Sequence, residues 1–255
     1  MNYSVCIDAL YQGRDVLEGI RETKEAGIGA FEFWSWWDKD LGRIACEKER
    51  LHLEVAAMCT KFTSLVDASQ HEAYLEGLKE SVEAAKRLGC RKLISQVGAD
   101  TGRPRKEQHQ ALCQGAKRAA ELLEGTDITL LLEPLNTAVD HKGYYLSSSE
   151  EAFEIIDEVG SERVKVLFDI YHQQITEGDI IRNIRENISR IGHFHAAGCP
   201  GRHELDTGEL NYPNIFRAIQ EAGYTGYIGL EYFPERPAIE GLRKLAGRCA
   251  LCGSG

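Results

Sequence analysis

Eight short apolar segments alternate with longer amphipathic segments along the whole chain. Each apolar segment is rich in residues that favour β-strands and is bounded by Gly, Asp, Asn or Arg. The predicted strands cover residues 3–8, 29–34, 53–58, 92–97, 128–135, 164–170, 191–196 and 227–233. Because strands that alternate with helices form βαβ units, this order predicts a parallel sheet.

The clearest predicted helix lies at residues 70–89, where apolar side chains recur on one face at helical spacing. Basic residues followed by Gly89 give this segment the charge and cap pattern expected at a helix C-terminus. Residues 107–125 repeat the apolar spacing. Residues 147–160 open with serines followed by acids, which is typical of a capped helix N-terminus.

Eight such units in 255 residues match the size of the eightfold β/α (TIM) barrel, and this is the α/β fold we predict. The alternative is a doubly wound open sheet, which predicts a Gly-rich phosphate loop after an early strand. The segment after the first strand contains neither G-x-G-x-x-G nor G-x-x-x-x-G-K. No linker or change in composition divides the chain, so we predict one domain over residues 1–252. Residues 253–255 are interpreted as a tail or a cloning remnant.

Composition narrows the range of partners. Hydrophobic residues make up 43% and charged residues 27% of the chain, which are ordinary values for a globular protein with a sizeable core. The formal net charge is −10, and an acidic surface repels phosphate backbones, so we expect no nucleic-acid partner. No apolar run approaches the length of a membrane span, and the N-terminus lacks the regions of a secretion signal. We therefore expect a cytoplasmic protein with no membrane partner.

The eight cysteines are scattered along the chain. In a cytoplasmic protein of this length, we expect reduced thiols that pack as small hydrophobes. Cys249 and Cys252 form a single C-x-x-C pair near the C-terminus. A zinc site needs a second pair of ligands, and a redox pair needs a strand-to-helix context. The sequence shows neither, so we predict no function for this pair.

Polar residues end four consecutive predicted strands, and barrel active sites lie at the C-terminal ends of the strands. The candidates at this rim, from the fifth strand to the eighth, are Glu133, Asn136, Asp169, His172, His193, His195 and Glu231. A single strand-end Asp is commonly a helix cap or turn residue, so the argument rests on the set. We expect one histidine of the seventh strand to face the barrel interior and the other to face the helix layer.

Glu133 and Glu231 each follow an apolar run in a strand that is buried on both faces. A buried carboxylate needs a partner or a metal ion. The alternative is a structural salt bridge, but these strands bring no Lys or Arg to match the two acids. Two Glu, one Asp and one His form an oxygen-rich ligand set, which suits Mg²⁺, Mn²⁺ or Co²⁺ better than structural zinc.

The segment 196–216, after the seventh predicted strand, is long and polar. Long loops on a barrel rim commonly close over substrate, and the alternative is a solvated connection with ordinary turn residues. Within this loop, Arg202 is a candidate for a bidentate contact with a substrate carboxylate.

An aromatic cluster lies near the second predicted strand. Its members are Phe31, Phe33, Trp34, Trp36 and Trp37. Such residues line a pocket wall, pack in the core or form a subunit contact, and the sequence leaves these alternatives open. Glu32 alternates with its aromatic neighbours, and we interpret it as structural.

At the strand-end residues and the loop described above, the chain resembles the hydroxypyruvate isomerase family, within the xylose-isomerase-like (sugar isomerase/epimerase) barrel superfamily. The resemblance covers essentially the whole chain and is strongest over residues 128–233. It rests on the order and spacing of LLLEPLN, FDIYHQQ, IGHFHAAGCPGRHELDTGELNY and GYIGLEY. These motifs are specific together, although none of them is specific alone.

The resemblance implies that Glu133, Asp169 and Glu231 bind one divalent metal ion, Mn²⁺, Mg²⁺ or Co²⁺. His195 occupies the fourth ligand position, where hydroxypyruvate isomerases typically carry Gln and the related ketose 3-epimerases carry His. The resemblance also implies that His172, three residues after Asp169, contacts the substrate.

The implied function is a metal-assisted isomerase of a small hydroxycarbonyl acid or sugar, of the hydroxypyruvate/tartronate-semialdehyde type. Glu133 and Glu231 would transfer the proton through an enediolate, and Arg202 would bind the substrate carboxylate. The near alternative is a ketose 3-epimerase of the D-tagatose 3-epimerase type, because His195 matches that group. The expected partners are a small carbonyl substrate and a second copy of the chain in a homo-oligomer.

Two further alternatives are more distant. The superfamily contains apurinic-site endonucleases, but the acidic charge balance and the missing additional His and Asp ligands argue against a nuclease. A non-catalytic sugar-binding barrel is the other alternative, and an assay for turnover with added metal distinguishes it from an enzyme.

Overall fold

The structure is a computed structural model that describes the backbone of residues 1–252 and the side chains of residues 1–247. Eight parallel strands close into a barrel in chain order, and the last strand pairs with the first. The strands are β1 (Asn2–Cys6), β2 (Ala30–Phe33), β3 (Glu54–Cys59), β4 (Lys92–Ser95), β5 (Thr129–Leu132), β6 (Val164–Asp169), β7 (Ile191–Ala196) and β8 (Tyr227–Leu230). The predicted eightfold barrel is confirmed, and every predicted strand overlaps an observed one.

Helices surround the barrel on its outer side. Those in the described backbone are α1 (Ile7–Leu10), α2 (Val16–Glu25), α3 (Leu41–Leu51), α4 (His71–Leu88), α5 (Arg105–Leu123), α6 (Ser149–Val159), α7 (Ile170–Thr176), α8 (Ile180–Asn187), α9 (Tyr212–Glu221) and α10 (Ala238–Cys252). Short 3-10 turns lie at Ala68–Gln70 and Ile188–Arg190. No helix in this part of the chain is both long and apolar enough to cross a bilayer.

The helix ends follow from local chemistry. Gly89 ends α4 in a left-handed conformation with φ 68°, which glycine adopts at little steric cost. At the start of α6, the side chain of Ser148 accepts a hydrogen bond from the backbone N–H of Glu151 at 3.3 Å. This bond satisfies an N–H that has no partner within the helix. The predicted signals at these two helix ends are confirmed.

The barrel interior is divided into layers along the strands. A small apolar cluster fills part of it, formed by Ala57, Cys59, Ile94, Leu131 and Leu167. Leu131 and Leu167 lie two residues before Glu133 and Asp169, so each pair points to the same face of its strand. The acids therefore lie one layer nearer the C-terminal end of the barrel, next to this apolar cluster.

The cysteines of the described side chains are free thiols. Cys6, Cys59, Cys90, Cys113 and Cys199 are buried, and Cys46 is exposed. Buried free thiols that pack as small hydrophobes are what the sequence predicts. The predictions for the Cys249 and Cys252 side chains and for residues 253–255 fall outside the described residues.

Candidate active site

Four side chains from consecutive strand ends converge at the C-terminal end of the barrel. Glu133 follows β5, Asp169 ends β6, His195 lies in β7, and Glu231 follows β8. One potential ligand atom from each residue lies within 4.8 Å of the other three, and all four residues are buried. The structure thus brings together the four residues that the sequence and the resemblance propose as metal ligands.

The polar atoms of this group are incompletely partnered. The Nδ1 atom of His195 lies 3.4 Å from Oε2 of Glu231 and 3.7 Å from Oε1 of Glu133. Among the described residues, neither His195 Nδ1 nor Asp169 Oδ2 has a hydrogen-bond partner, although both are buried. Buried polar atoms are normally paired, because leaving them unpaired costs free energy. Three carboxylates and one imidazole with such unpaired atoms fit a divalent cation.

The two glutamates of the group differ in acidity. Burial raises the pKa of Glu133 to about 7, the nearby Glu231 carboxylate adds to this, and His195 offsets it only in part. Burial also disfavours the charged form of Glu231, but the positive charges of His195 and Arg202 hold its pKa well below the ordinary value. A carboxylate pair whose pKa values are pushed apart is suited to acid and base roles.

Arg202 lies inside the site. Its Nη2 atom forms an ion pair with Glu231 and lies 3.8 Å from Oδ2 of Asp169. The guanidinium also stands over the rings of Tyr171 and Phe233, with its carbon 5.3 and 5.6 Å from the two ring centroids. The acids therefore do have an arginine partner, which comes from the loop after β7. The strands themselves bring no Lys or Arg to Glu133 and Glu231, as the sequence indicates, but the loop does.

His172 is a buried, neutral hydrogen-bond donor. Its Nδ1 accepts from the backbone N–H of Asn136 at 3.3 Å and lies 2.6 Å from the Asn136 side-chain nitrogen. The ring proton therefore belongs on Nε2, which is buried without a hydrogen-bond partner in the described structure, 3.6 Å from Oδ2 of Asp169. Burial and then the Arg202 charge lower the pKa of His172 well below its ordinary value.

Trp34, one of the aromatic residues for which the sequence left a pocket wall, core packing and a subunit contact open, lies at the site. Its indole N–H donates to Oε1 of Glu231 at 2.6 Å. Phe31 and Phe33, by contrast, are buried in the main core. The signal for Trp34 was its place just after β2, because residues that follow barrel strands face the catalytic rim.

Both histidines of β7 point into the barrel. Nε2 of His193 lies 2.9 Å from Oε2 of Glu32, and Nε2 of His195 lies 3.3 Å from Oε1 of the same carboxylate. The expectation that one of them faces the helix layer is wrong, because side chains two residues apart on a strand share a face. Glu32, on β2, is thus in contact with a candidate metal ligand.

Comparisons with known proteins identify the family of the chain. Residues 20–248 match the family described as Xylose isomerase-like TIM barrel. The chain is 35% identical to the hydroxypyruvate isomerase of Escherichia coli (strain K12) over 253 residues, which cover 95% of this chain and 97% of that protein. It is 44% identical to a 2-oxo-tetronate isomerase of Cupriavidus necator over a shorter stretch, which covers 49% of this chain and 47% of that protein.

Among solved structures, one described as an AP endonuclease, family 2, from Brucella melitensis superposes with a TM-score of 0.92 at 30% identity. The superposition covers 96% of this chain and 98% of that one. The two chains therefore share the barrel along essentially their whole length.

Proposed function

Because the chain belongs to the hydroxypyruvate isomerase family of xylose isomerase-like TIM barrels, and is therefore an isomerase of a small substrate, we propose that it isomerises a hydroxycarbonyl acid with the help of one divalent metal ion. The observation that carries the proposal is the convergence of Glu133, Asp169, His195 and Glu231 beside the Arg202 guanidinium. Hydroxypyruvate and 2-oxo-tetronate, for which two relatives are named, both carry a carboxylate. A cation inside the site suits such a substrate.

The four converging residues would hold the metal ion, and Mn²⁺ or Mg²⁺ fits their oxygen-rich donor set, with Co²⁺ also suited to it. When bound, the ion would polarise the substrate carbonyl and so acidify the neighbouring C–H. Hydroxypyruvate becomes tartronate semialdehyde when a proton leaves its hydroxymethyl carbon and another proton is added to its former carbonyl carbon.

The proton transfer falls to the two glutamates. Glu231 is held ionised by its neighbours, which suits removal of the proton, and the pKa of about 7 of Glu133 allows this carboxyl to carry one near neutral pH. The two residues follow β5 and β8, which are three strands apart around the barrel, so they can flank a small substrate. Arg202 has five N–H donors, so its ion pair with Glu231 leaves donors for a substrate carboxylate.

A ketose 3-epimerase is the second candidate, and His195 is the observation that favours it. The same glutamates would then return the proton to the same carbon from the opposite face. Turnover of hydroxypyruvate, 2-oxo-tetronate and neutral ketoses by the protein supplied with Mn²⁺ or Mg²⁺ tests the two candidates together. Faster conversion of the acids supports the first, and faster 3-epimerisation of a ketose supports the second.

Metal binding should release more protons at about pH 6 than at about pH 8. The reason is that Glu133, with a pKa of about 7, is mostly protonated at the lower pH but must be ionised to act as a ligand. Burial disfavours the charged form of His195, but the Glu231 and Glu32 charges raise its pKa well above the ordinary value, so this ligand releases its proton at both pH values. The metal affinity should accordingly rise with pH throughout this range. Calorimetric titration with Mn²⁺ in buffers of different ionisation enthalpy measures the release. In Glu133→Gln the difference between the two pH values should disappear, and equal release in the wild type would contradict the role given to Glu133.

Replacing His172 by Ala should lower kcat/KM without changing the metal affinity, because His172 donates to the substrate and is not a ligand. The loss of one neutral hydrogen bond corresponds to about a 2- to 10-fold decrease in kcat/KM. Asn136→Ala should reproduce part of this loss, since Asn136 fixes the tautomer of His172. If His172→Ala instead weakened Mn²⁺ binding and kept the wild-type kcat/KM at saturating metal, that result would contradict the proposed contact between His172 and the substrate.

A further inference from the structure

A buried carboxylate connects two histidines inside the barrel, next to the candidate metal ligands. Glu32, His193 and His195 are at most 2% exposed. Each oxygen of Glu32 faces one histidine. Oε2 lies 2.9 Å from Nε2 of His193, and Oε1 lies 3.3 Å from Nε2 of His195. Within the described residues, Oε1 of Glu32 and Nε2 of His195 have no hydrogen-bond partner. These two atoms therefore face each other as a donor and acceptor pair that a small movement would complete.

The barrel leaves room for this arrangement at one position of β8. Gly229 is the strand neighbour of His195. A Cβ atom on Gly229 would lie 1.9 Å from Oε1 of Glu32 and 2.6 Å from Cδ2 of His195. Both contacts are far inside van der Waals distance, so any larger residue would displace the pair. Glycine is thus needed here for space between the strands, so that a side chain from β2 can reach one from β7.

The two ring nitrogens of His195 face different groups. Nε2 faces Glu32, and Nδ1 faces the acids of the candidate metal centre, 3.4 Å from Glu231 and 3.7 Å from Glu133. A histidine that binds a metal through one nitrogen commonly donates the N–H of the other to a carboxylate, which fixes the tautomer and the ring orientation. The placement of Glu32 matches that pattern.

We propose that Glu32 is a positioning residue for His195, an inference that rests on the proposed metal-assisted function. By taking the N–H of Nε2, Glu32 would keep Nδ1 directed at the space between Glu133, Asp169 and Glu231, so that in the metal-bound protein the lone pair of Nδ1 meets the ion. His193 holds Glu32 in place by contacting the other carboxylate oxygen, Oε2. Asp169 lies opposite His195 across the β6–β7 pairing, so a ring held in this way keeps the metal ligands in register.

The alternative role of Glu32 is a buried ion pair that stabilises the barrel and nothing else. That role predicts a lower melting temperature for a Glu32 variant and an unchanged metal affinity of the folded protein. The positioning role predicts a weaker metal affinity in protein that is still folded. Metal affinity, measured apart from activity, therefore separates the two.

The test is calorimetric titration of Mn²⁺ into wild-type, Glu32→Gln and Gly229→Ala proteins, with folding verified by circular dichroism. Glu32→Gln should weaken Mn²⁺ binding about 10- to 100-fold. Gly229→Ala should weaken it as well, because the added methyl displaces the pair without removing any of its groups. Glu47→Gln is the matched control, since Glu47 is also an ion-paired buried glutamate, but on the outer helix α3 and paired with Arg21 and Arg50. It should leave Mn²⁺ affinity unchanged.

The outcomes distinguish the inference from the function on which it rests. Wild-type affinity in folded Glu32→Gln, together with normal binding by the wild type, would overturn the positioning role alone. If the wild type bound no divalent cation, both the proposed function and this inference would be overturned. If Glu32→Gln does not fold, Gly229→Ala decides, because it retains Glu32 and both histidines, and normal Mn²⁺ affinity in that variant would overturn the positioning role.

Discussion

Glu133→Gln and Glu231→Gln should each abolish turnover. Proton transfer by a positioned carboxylate contributes about 10²- to 10⁴-fold to the rate, and the loss of a metal ligand adds to that decrease. The measurement is kcat/KM on hydroxypyruvate at saturating Mn²⁺ or Mg²⁺. Glu158→Gln, an isosteric change at an exposed position of α6, should retain the wild-type rate, as should Cys249→Ser and Cys252→Ser. Wild-type rates in either Glu133→Gln or Glu231→Gln would rule out the proposed pair.

The same two variants should differ in stability without metal. Burial raises the pKa of Glu133 to about 7 in the folded protein, so stability falls as the pH rises from the ordinary glutamate value towards 7, and the full loss is present above about 7. Glu133→Gln removes that charge and should raise the melting temperature of the metal-free protein. Glu231 has a lowered pKa and an ion pair with Arg202, so Glu231→Gln removes a favourable charge and should lower the melting temperature. Thermal melts of the metal-free proteins near pH 8 measure both changes. Shifts of the melting temperature in opposite directions would support the raised pKa of Glu133 and the lowered pKa of Glu231, and equal shifts would contradict them.

Arg202→Ala should weaken turnover of an acid substrate more than turnover of a neutral ketose. A charged hydrogen bond removed outright costs about 1.5–3 kcal/mol, or about 10- to 150-fold in kcat/KM. Arg202→Lys keeps the charge but loses the planar fork, so it should also weaken the acid substrate clearly. Because Arg202 contacts Glu231, both substrates should lose some activity, and the informative quantity is the ratio between them. An unchanged ratio in both variants would remove the main reason for placing the acid isomerase ahead of the epimerase.

The fold and the convergence of Glu133, Asp169, His195 and Glu231 could be predicted because both depend on short-range patterns. Apolar runs locate the strands, and the C-terminal ends of parallel strands meet at one rim whatever the exact register. Glu133 and Glu231 therefore come together even though nearly a hundred residues separate them in the chain. The same-face rule for residues two apart was also available, and applying it to His193 and His195 would have placed both of them in the interior.

The partners of these residues were harder to foresee, because they depend on barrel closure and on loop conformation. Glu32 reaches His195 only because β1 and β8 close the barrel between them. Arg202 lies in the loop 197–211, with a left-handed backbone at φ 58° that an arginine rarely adopts. No periodicity in the sequence predicts where the side chain of such a residue points, so its ion pair with Glu231 was not anticipated.

The most direct test of the central claim is conversion of hydroxypyruvate in D₂O by protein supplied with Mg²⁺ or Mn²⁺, followed by NMR, which distinguishes the aldehyde product from the ketone substrate. Proton transfer by the two glutamates predicts that the tartronate semialdehyde product contains solvent deuterium on its former carbonyl carbon. It also predicts that a chelator stops the reaction and that added metal restores it. Product formed without deuterium would contradict proton transfer by two separate glutamates, and conversion that persists in the presence of a chelator would contradict the metal-assisted mechanism.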